Sequence, residues 1–359
     1  MFKRWRFWFG VAISALFVWF ALRGLELDQV WQYLKKADYW WILPGVVVYF
    51  FAVWARTWRW HYMLRPLKAI RLTRLFPVVC IGYMGNNVYP ARAGELIRAY
   101  VLKHKEGVSV SASLATVVVE RIFDGVVMLL FVFVSLPLTP LPDWLHQIVV
   151  WGSLLFFGTL AAFFVVAASP ERSQKLYNWA IDRLVPNRLQ APIRGFADRF
   201  MEGLHCLRSG RDVAMIFATS LVIWLAETVK YWFVTYAFGF TVPFWVLMLM
   251  NGVVNLATTL PAAPGYIGTF DTPGIKVLVN FGVGDEIATA YTLVLHAALW
   301  LPITLLGAFY MWREDVTWDD FAAASRLGED ATDAQTLQPA DDPSLEWNKD
   351  EELWQPTNE

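Results

Sequence analysis
The chain has 359 residues, of which 57% are hydrophobic and 17% charged, with 20 tryptophans. Soluble domains carry about 25% charged residues, so this composition excludes an ordinary soluble enzyme and predicts an all-α, polytopic membrane helix bundle. The net charge of −1 conceals two opposed regions: residues 313–359 hold 14 acidic and 3 basic side chains, whereas residues 1–312 hold 17 acidic and 27 basic ones.

Taken in order, apolar spans are predicted at 7–23, 41–63, 108–137, 147–168, 213–237 and 286–312. The first follows the basic start MFKRWRFW and lacks a small-residue cleavage site, so it reads as an uncleaved helix. Two further apolar stretches, 75–97 and 244–281, are interrupted by polar and helix-breaking residues. Basic residues at the N-terminus, at Arg65, Lys68, Arg71 and Arg74, and in the loop 169–212 place those segments in the cytoplasm. The intervening loops 24–40, 138–146 and 238–243 are poor in base. On this topology both termini are cytoplasmic.

The interrupted stretches then acquire a meaning. Leu75 to Tyr89 gives roughly 22 Å of helix, short of a bilayer core of roughly 30 Å. The basic segment RAYVLKHKEG returns the chain to the cytoplasm, as a re-entrant hairpin would. The stretch through NLATTLPAAPGYIGTFD enters and leaves on the opposite side. Residues 41–137 and 213–312 therefore read as inverted repeats, each with a broken-helix hairpin, an arrangement found in transporters. GVSVSASLATVVVE (107–120) faintly echoes GVGDEIATAYTLVLH (282–296) and aligns Glu120 with His296. Irregular backbone at membrane depth has to be buried in protein or line a wet cavity. NNVYPARAGE is expected to line one, with Pro90 stopping the half-helix and Gly94 allowing the turn back or close packing.

Charges inside the spans need a reason, because each costs about 2.5–3.5 kcal/mol even on the lenient insertion scale. VVVERIFDGVV puts Glu120 and Asp124 on one helical face, with Arg121 three residues before Asp124. Either this is a structural ion pair, or a charged lining that keeps one net negative charge. Glu227 and Lys230 form a neutral i,i+3 pair, structural or functional. Asp271 and Lys276 sit in the cavity or snorkel outward. His296 reads as hydrogen-bonded packing first and as a functional group second. Arg56 and Arg59 are attributed to the positive-inside rule and lipid headgroups. Trp5, Trp8, Trp40, Trp41, Trp58 and Trp60 are attributed to interfacial belts. LYNWAIDRL and RFMEGLHCL read as amphipathic helices, suited to an anionic leaflet or to packing under the bundle.

Enzyme signatures are missing: no GxSxG elbow, no P-loop and no Asp-x-Asp pair. No metal or cofactor is predicted. Cys80 and Cys206 are expected to be free thiols. The tail 313–359 is expected to be disordered and cytoplasmic, with Trp347 and Trp354 either solvated or part of a partner motif.

GNNVYPARAGELIRAYVLKHKEGVSVSASLATVVVERIFDGVVMLL resembles the lysylphosphatidylglycerol synthase transmembrane, flippase-like family. The resemblance rests on N-x-x-P-x-R-x-G-E (Asn87 to Glu95), E-R-x-x-D (Glu120 to Asp124) and TTLPAAPGYIGTFD (Thr258 to Asp271), and spans most of residues 5–312. It implies a bacterial inner-membrane domain that moves lipid between leaflets. It also implies that Asn87, Arg92, Glu95, Glu120, Arg121, Asp124, Pro264, Gly265 and Asp271 line the headgroup path. Bifunctional members carry a soluble aminoacyl-transferase domain, for which the 47 residues after Trp312 are too few and too acidic.

The reading is therefore a translocase for a membrane phospholipid or polyprenyl-linked lipid, without a catalytic role. The alternatives are an ion-coupled transporter of a small charged solute and a non-enzymatic partner of a lipid or glycan biosynthetic enzyme. Nothing points to nucleic acid. The lipid, the direction, the coupling ion and the choice between monomer and homo-oligomer stay open.

Overall fold
The computed structural model describes residues 26–89, 93–135, 170–207, 209–259 and 264–317, the backbone of 345–348 and 353–356, and isolated positions at 16, 19, 138, 154, 157, 158 and 161. Apart from those positions, the expected spans 7–23 and 147–168 lie outside the described residues, as do Pro90 and Arg92.

The described chain is a helix bundle. Its helices are α1 (Leu27–Lys36), α2 (Ile42–Leu64), α3 (Leu72–Val88), α4 (Ala93–Glu106), α5 (Val110–Ser135), α6 (Pro170–Leu184), α7 (Asn187–Gly203), α8 (Gly210–Ala237), α9 (Phe244–Ala257), α10 (Asp271–Asn280) and α11 (Asp285–Arg313). α1 falls in the predicted loop 24–40. Asp28 in its first turn and Lys35 and Lys36 in its last suit the helix dipole. The Asp38 side chain accepts from the Trp40 amide at 3.3 Å and starts the turn into α2.

Among the described residues, three helical segments are long and apolar enough to cross a membrane: 39–64, 210–237 and 285–313. They match three of the predicted spans. α5 has 26 residues, about 39 Å of helix, but carries Glu120, Arg121 and Asp124 within it. Polarity is inverted relative to a soluble bundle. On α2, Leu43, Val47, Phe51 and Trp54 form an exposed apolar stripe, while Arg56 and Arg59 point inward and are 6% and 1% exposed. That stripe is unfavourable in water and suited to lipid.

Helix pairing is reciprocal between the two halves. α2 packs along α8, α3 against α11, and α9 against α5. Within each half, α4 packs against α3 and α5, and α10 packs against α9 and α11. None of these limbs crosses a bilayer comfortably alone. α3 has 17 residues and α4 and α9 have 14 each, so they reach about 25 Å and 21 Å; α10 has 10 residues and reaches about 15 Å.

The two returns are built differently. Gly94 lies inside the first turn of α4 rather than at a left-handed turn position. A methyl group there would meet the Gly82 carbonyl and stand 2.5 Å from the Asn86 amide nitrogen. Gly94 therefore serves close helix packing, the second of the two roles expected of it. In the second half Gly265 (φ 74°), Tyr266 (φ 60°) and Gly268 (φ 82°) adopt left-handed backbone, which favours glycine and strains tyrosine.

Two further expectations change. Trp60 is not an interfacial tryptophan: it is fully buried, donates to Thr116 Oγ1 at 2.9 Å and lies under the Arg98 guanidinium at 4.3 Å. In the tail, residues 345–348 and 353–356 pair as an antiparallel hairpin with Trp347 opposite Trp354. Cys80 and Cys206 are free, as expected, and both are buried; burial pushes the Cys206 thiol up to about 12.

At the end of α4, Glu106 joins three parts of the chain. Lys68 Nζ lies 2.9 Å and Arg74 Nη1 3.3 Å from its carboxylate, and Lys68 also donates to its carbonyl at 2.7 Å. Burial pushes the Glu106 carboxyl up, but the hydrogen bonds and charges of Lys68 and Arg74 outweigh it and hold the group below the usual carboxylate range.

Candidate functional site
α2, α4, α5 and α8 bring a chain of ionic side chains into the interior. Arg59 Nη1 of α2 binds Asp124 Oδ1 at 2.7 Å and donates to Ser220 Oγ at 2.7 Å. Trp224 Nε1 donates to the same Asp124 oxygen at 2.9 Å. Arg98 Nη2 of α4 binds Glu120 Oε2 at 2.5 Å, and Arg59 Nη2 stands 3.7 Å from Glu120 Oε1. Arg121 reaches Asp124 at 3.4 Å and Glu95 at 3.5 Å. Arg56 Nη1 binds Glu227 Oε1 at 2.5 Å, and Lys230 pairs with the other Glu227 oxygen. The Lys230 ammonium sits under the rings of Tyr49 and Tyr231.

The predicted pairing of Arg121 with Asp124 is present, but the charge balance is reversed. Glu120, Arg121 and Asp124 alone leave one negative charge. With their partners, the network among the described residues holds five cations (Arg56, Arg59, Arg98, Arg121, Lys230) against four carboxylates (Glu95, Glu120, Asp124, Glu227). Arg56 and Arg59 are thus interior ligands of carboxylates, which corrects their assignment to headgroups and the positive-inside rule. Their signal was their spacing: Tyr49, Arg56 and Arg59 share the α2 face opposite the apolar stripe. Arg98 carried a similar signal, four residues after Gly94 on the face that α4 turns inward.

A cavity of about 150 Å³ lies between the two interrupted segments. The first segment contributes Tyr83, Asn86 and Asn87 to its wall, and the second contributes Asn255, Thr258, Gly265 and Tyr266. Arg56, Arg121, Glu227 and His296 add charge or protons. A smaller pocket of about 30 Å³ continues past Glu95, Arg98 and Arg121. An apolar cleft of about 530 Å³ shares Asn87, Gly265, His296 and Trp300 with the central cavity. That cleft reaches Ile267 and Leu293, which are 54% and 41% exposed.

The structure distributes the predicted site residues unevenly. Asn87, Arg121, Glu227 and Gly265 line the central cavity, and Glu95 lines the smaller pocket. Asn87 Nδ2 donates to Thr304 Oγ1 at 2.8 Å and to the Trp300 carbonyl at 3.3 Å, tying the tip of α3 to α11. Glu120, Asp124 and Lys230 are at most 5% exposed and stand behind the walls of these three spaces. Arg121, with 36% of its side chain exposed, presents the charge of that motif instead. Pro264 opens the short 3-10 turn Pro264–Tyr266. Asp271 is buried and paired with His296, whereas Lys276 is exposed.

Asn255 in the cavity wall and Asn251 behind it gave weaker signals. Asn251 donates to the Trp224 carbonyl and to Thr228 Oγ1, and Asn255 continues this ladder to Asn251 Oδ1 at 2.7 Å. These two asparagines, four apart in an apolar helix, mark a polar inner face. Among the described residues no group of three His, Cys, Asp or Glu side chains gathers as a metal site.

The chain is similar to a UPF0104 membrane protein of Methanothermobacter thermautotrophicus, 24% identical over 85% of this chain and 92% of the relative. A UPF0104 membrane protein of Methanocaldococcus jannaschii is 22% identical over 83% and 92%. A protein of Haloferax volcanii named glycosyltransferase AglD is 26% identical over 80% of this chain and 51% of its own length. No solved structure matches. The model for the lysylphosphatidylglycerol synthase TM region matches residues 7–307, and this chain belongs to that membrane-protein family.

Proposed function
We propose that the protein moves a lipid with a charged headgroup between membrane leaflets. The headgroup passes through the central polar cavity while the acyl or polyprenyl tails stay in the apolar cleft. The observation that carries this reading is the shared wall: Asn87, Gly265, His296 and Trp300 face a polar cavity on one side and an apolar, outward-reaching cleft on the other. A small-solute transporter calls for a central cavity sealed from lipid, and this wall speaks against it. The surplus of one cation among the described residues favours an anionic headgroup. One relative carries the name glycosyltransferase, so a glycan-bearing lipid is among the substrates to try.

The reciprocal pairing of α2 with α8, α3 with α11 and α9 with α5 supports a two-fold relation between residues 41–137 and 213–312. In that reading α3–α4 and α9–α10 are re-entrant hairpins entering from opposite faces of a bacterial inner membrane, with both termini cytoplasmic. The cavity supplies binding and passage, with no catalytic step, and a lipid-biosynthetic enzyme is the natural source of the substrate. Reconstitution into liposomes with fluorescent phosphatidylglycerol or a polyprenyl phosphate tests the proposal. Accelerated loss of leaflet asymmetry is expected. Rates equal to those of protein-free liposomes for every anionic, aminoacylated and polyprenyl lipid tried would sink it.

A further inference from the structure
His296 stands in the wall that separates the polar cavity from the apolar cleft. Its Nδ1 lies 2.8 Å from Asp271 Oδ1, and its Nε2 lies 2.7 Å from the Gly265 carbonyl. A carbonyl oxygen only accepts, so Nε2 carries a proton. The Asp271 carboxylate already accepts from the Gly268 amide at 2.8 Å, and a carboxylate only accepts. With Asp271 ionised, both ring nitrogens donate and the imidazole holds its second proton, which lies between Nδ1 and Oδ1.

The partners make this proton structural. Gly265, Tyr266 and Gly268 are the residues of the second interrupted segment with left-handed backbone. His296 fastens that segment at its start through the Gly265 carbonyl and at its end through Asp271. Loss of the proton to cavity water leaves a neutral ring with a single N–H between two acceptors. One of the two contacts then becomes a lone-pair repulsion.

We propose that His296 and Asp271 form a proton-binding latch, and that proton release frees residues 264–271 and opens the wall between cavity and cleft. This extends the translocase reading to the regulation of the same site, but the latch itself is defined without any lipid. Charges around the ring bias it in both directions. Arg56 of α2 and Arg121 of α5 face it across the cavity and favour release, while Glu227 of α8 favours retention. The phenols of Tyr49, Tyr83 and Tyr231 complete the facing wall, and Tyr266 lies in the segment itself. The charged residues of α1, which also packs on α11, are exposed, as is Lys276 of α10. An anionic headgroup in the cavity adds negative charge beside the imidazolium. Headgroup and proton then favour each other's binding by the same factor.

The decisive variant is Asp271→Asn. Its amide oxygen still accepts from the Gly268 amide and its NH2 donates to a neutral Nδ1, so all three hydrogen bonds survive without the extra proton. Backbone hydrogen exchange of residues 264–272 is followed in wild type and Asp271→Asn between about pH 5 and pH 9, and the ratio at each pH cancels the intrinsic chemistry of exchange. Equal rates are expected at the acid end, with wild type at least about tenfold faster at the alkaline end, a latch opening of about 1.4 kcal/mol. A ratio independent of pH overturns the proposal. If the variant does not fold, nitrogen NMR of histidine-labelled wild type decides: two protonated ring nitrogens for His296 at low pH support the latch, and one unprotonated nitrogen there refutes it. Neither measurement needs lipid transport, so failure of the translocase reading leaves the answer intact.

Discussion
The two interrupted segments occupy corresponding places and carry different chemistry. In the first, α4 returns against α5, and Arg98 binds Glu120 in the buried middle of that helix. In the second, α10 returns against α11, and Asp271 binds His296. Glu120 and His296 are the positions that the faint sequence echo superposes, and each holds the return limb of its own segment. The first contact joins permanent charges and the second holds one removable proton. The backbones follow suit: the first segment is locked by Gly94 against Gly82 and Asn86, while the second bends through left-handed residues held by a histidine. One segment is a fixed frame and the other a movable wall.

The largest expected effect comes from breaking the frame. Glu120→Ala leaves Arg98 buried without its carboxylate partner and is expected to cost about 3–5 kcal/mol, read as a fall in melting temperature and in folded yield in detergent. The double variant Arg98→Met with Glu120→Met removes both charges and is expected to recover most of that loss. If Glu120→Ala melts like wild type, the network is not what holds α4 to α5, and the comparison of the two segments fails.

Next comes the close approach of α3 and α4. Gly94→Ala places a methyl group against main-chain atoms that cannot rotate away, and is expected to cost about 1–3 kcal/mol. Gly210 is the control, because a methyl group added there meets nothing within 4 Å. Gly210→Ala is expected to be neutral or mildly stabilising. Equal melting of the two variants would show that the helices are free to part at residue 94.

These contrasts also show what could be read in advance. α2, α5, α8 and α11 were legible from apolar length, and the interrupted segments from polar residues inside apolar runs. Glu120, Arg121 and Asp124 stood out because charge in an apolar helix is costly. Their partners did not, because Arg59 and Arg98 come from other helices and only packing decides whether an arginine near a span faces lipid headgroups or the interior. The role of Gly94 was ambiguous for a similar reason. A glycine after a proline fits either a turn or a close contact, and the backbone angle separates the two. His296 looked like packing because a lone histidine shows neither of its acceptors in sequence.

A smaller stability effect is expected at the cavity surface, where the frame meets the proposed substrate path. Arg121 is the partly exposed member of the network, and Asp124 retains Arg59 and Trp224 when it is removed. Arg121→Ala is expected to change stability by no more than about 1 kcal/mol, while transport of an anionic lipid in liposomes falls at least about tenfold. Normal transport by a folded Arg121→Ala protein would move the headgroup path away from this residue.

The smallest effect lies at the end of the frame, where Glu106 ties α4 to Lys68 and Arg74. Its carboxyl is held below its ordinary value in the folded protein. The stabilisation is therefore complete above the unfolded carboxyl range, about pH 4.3, and is lost as pH falls through the lower folded value. Lys68 and Arg74 are well exposed, so solvent screening limits the contribution to at most about 1 kcal/mol. Glu106→Gln should lower the melting temperature slightly at neutral pH, and the gap to wild type should close on acidification. Salt should narrow the same gap at neutral pH, because the charges of Lys68 and Arg74 are open to solvent. Both proteins keep the hydrogen bond from Lys68 to the residue 106 carbonyl, so a gap that persists unchanged in acid would mean that the ionised carboxylate is not what anchors this corner of the first segment.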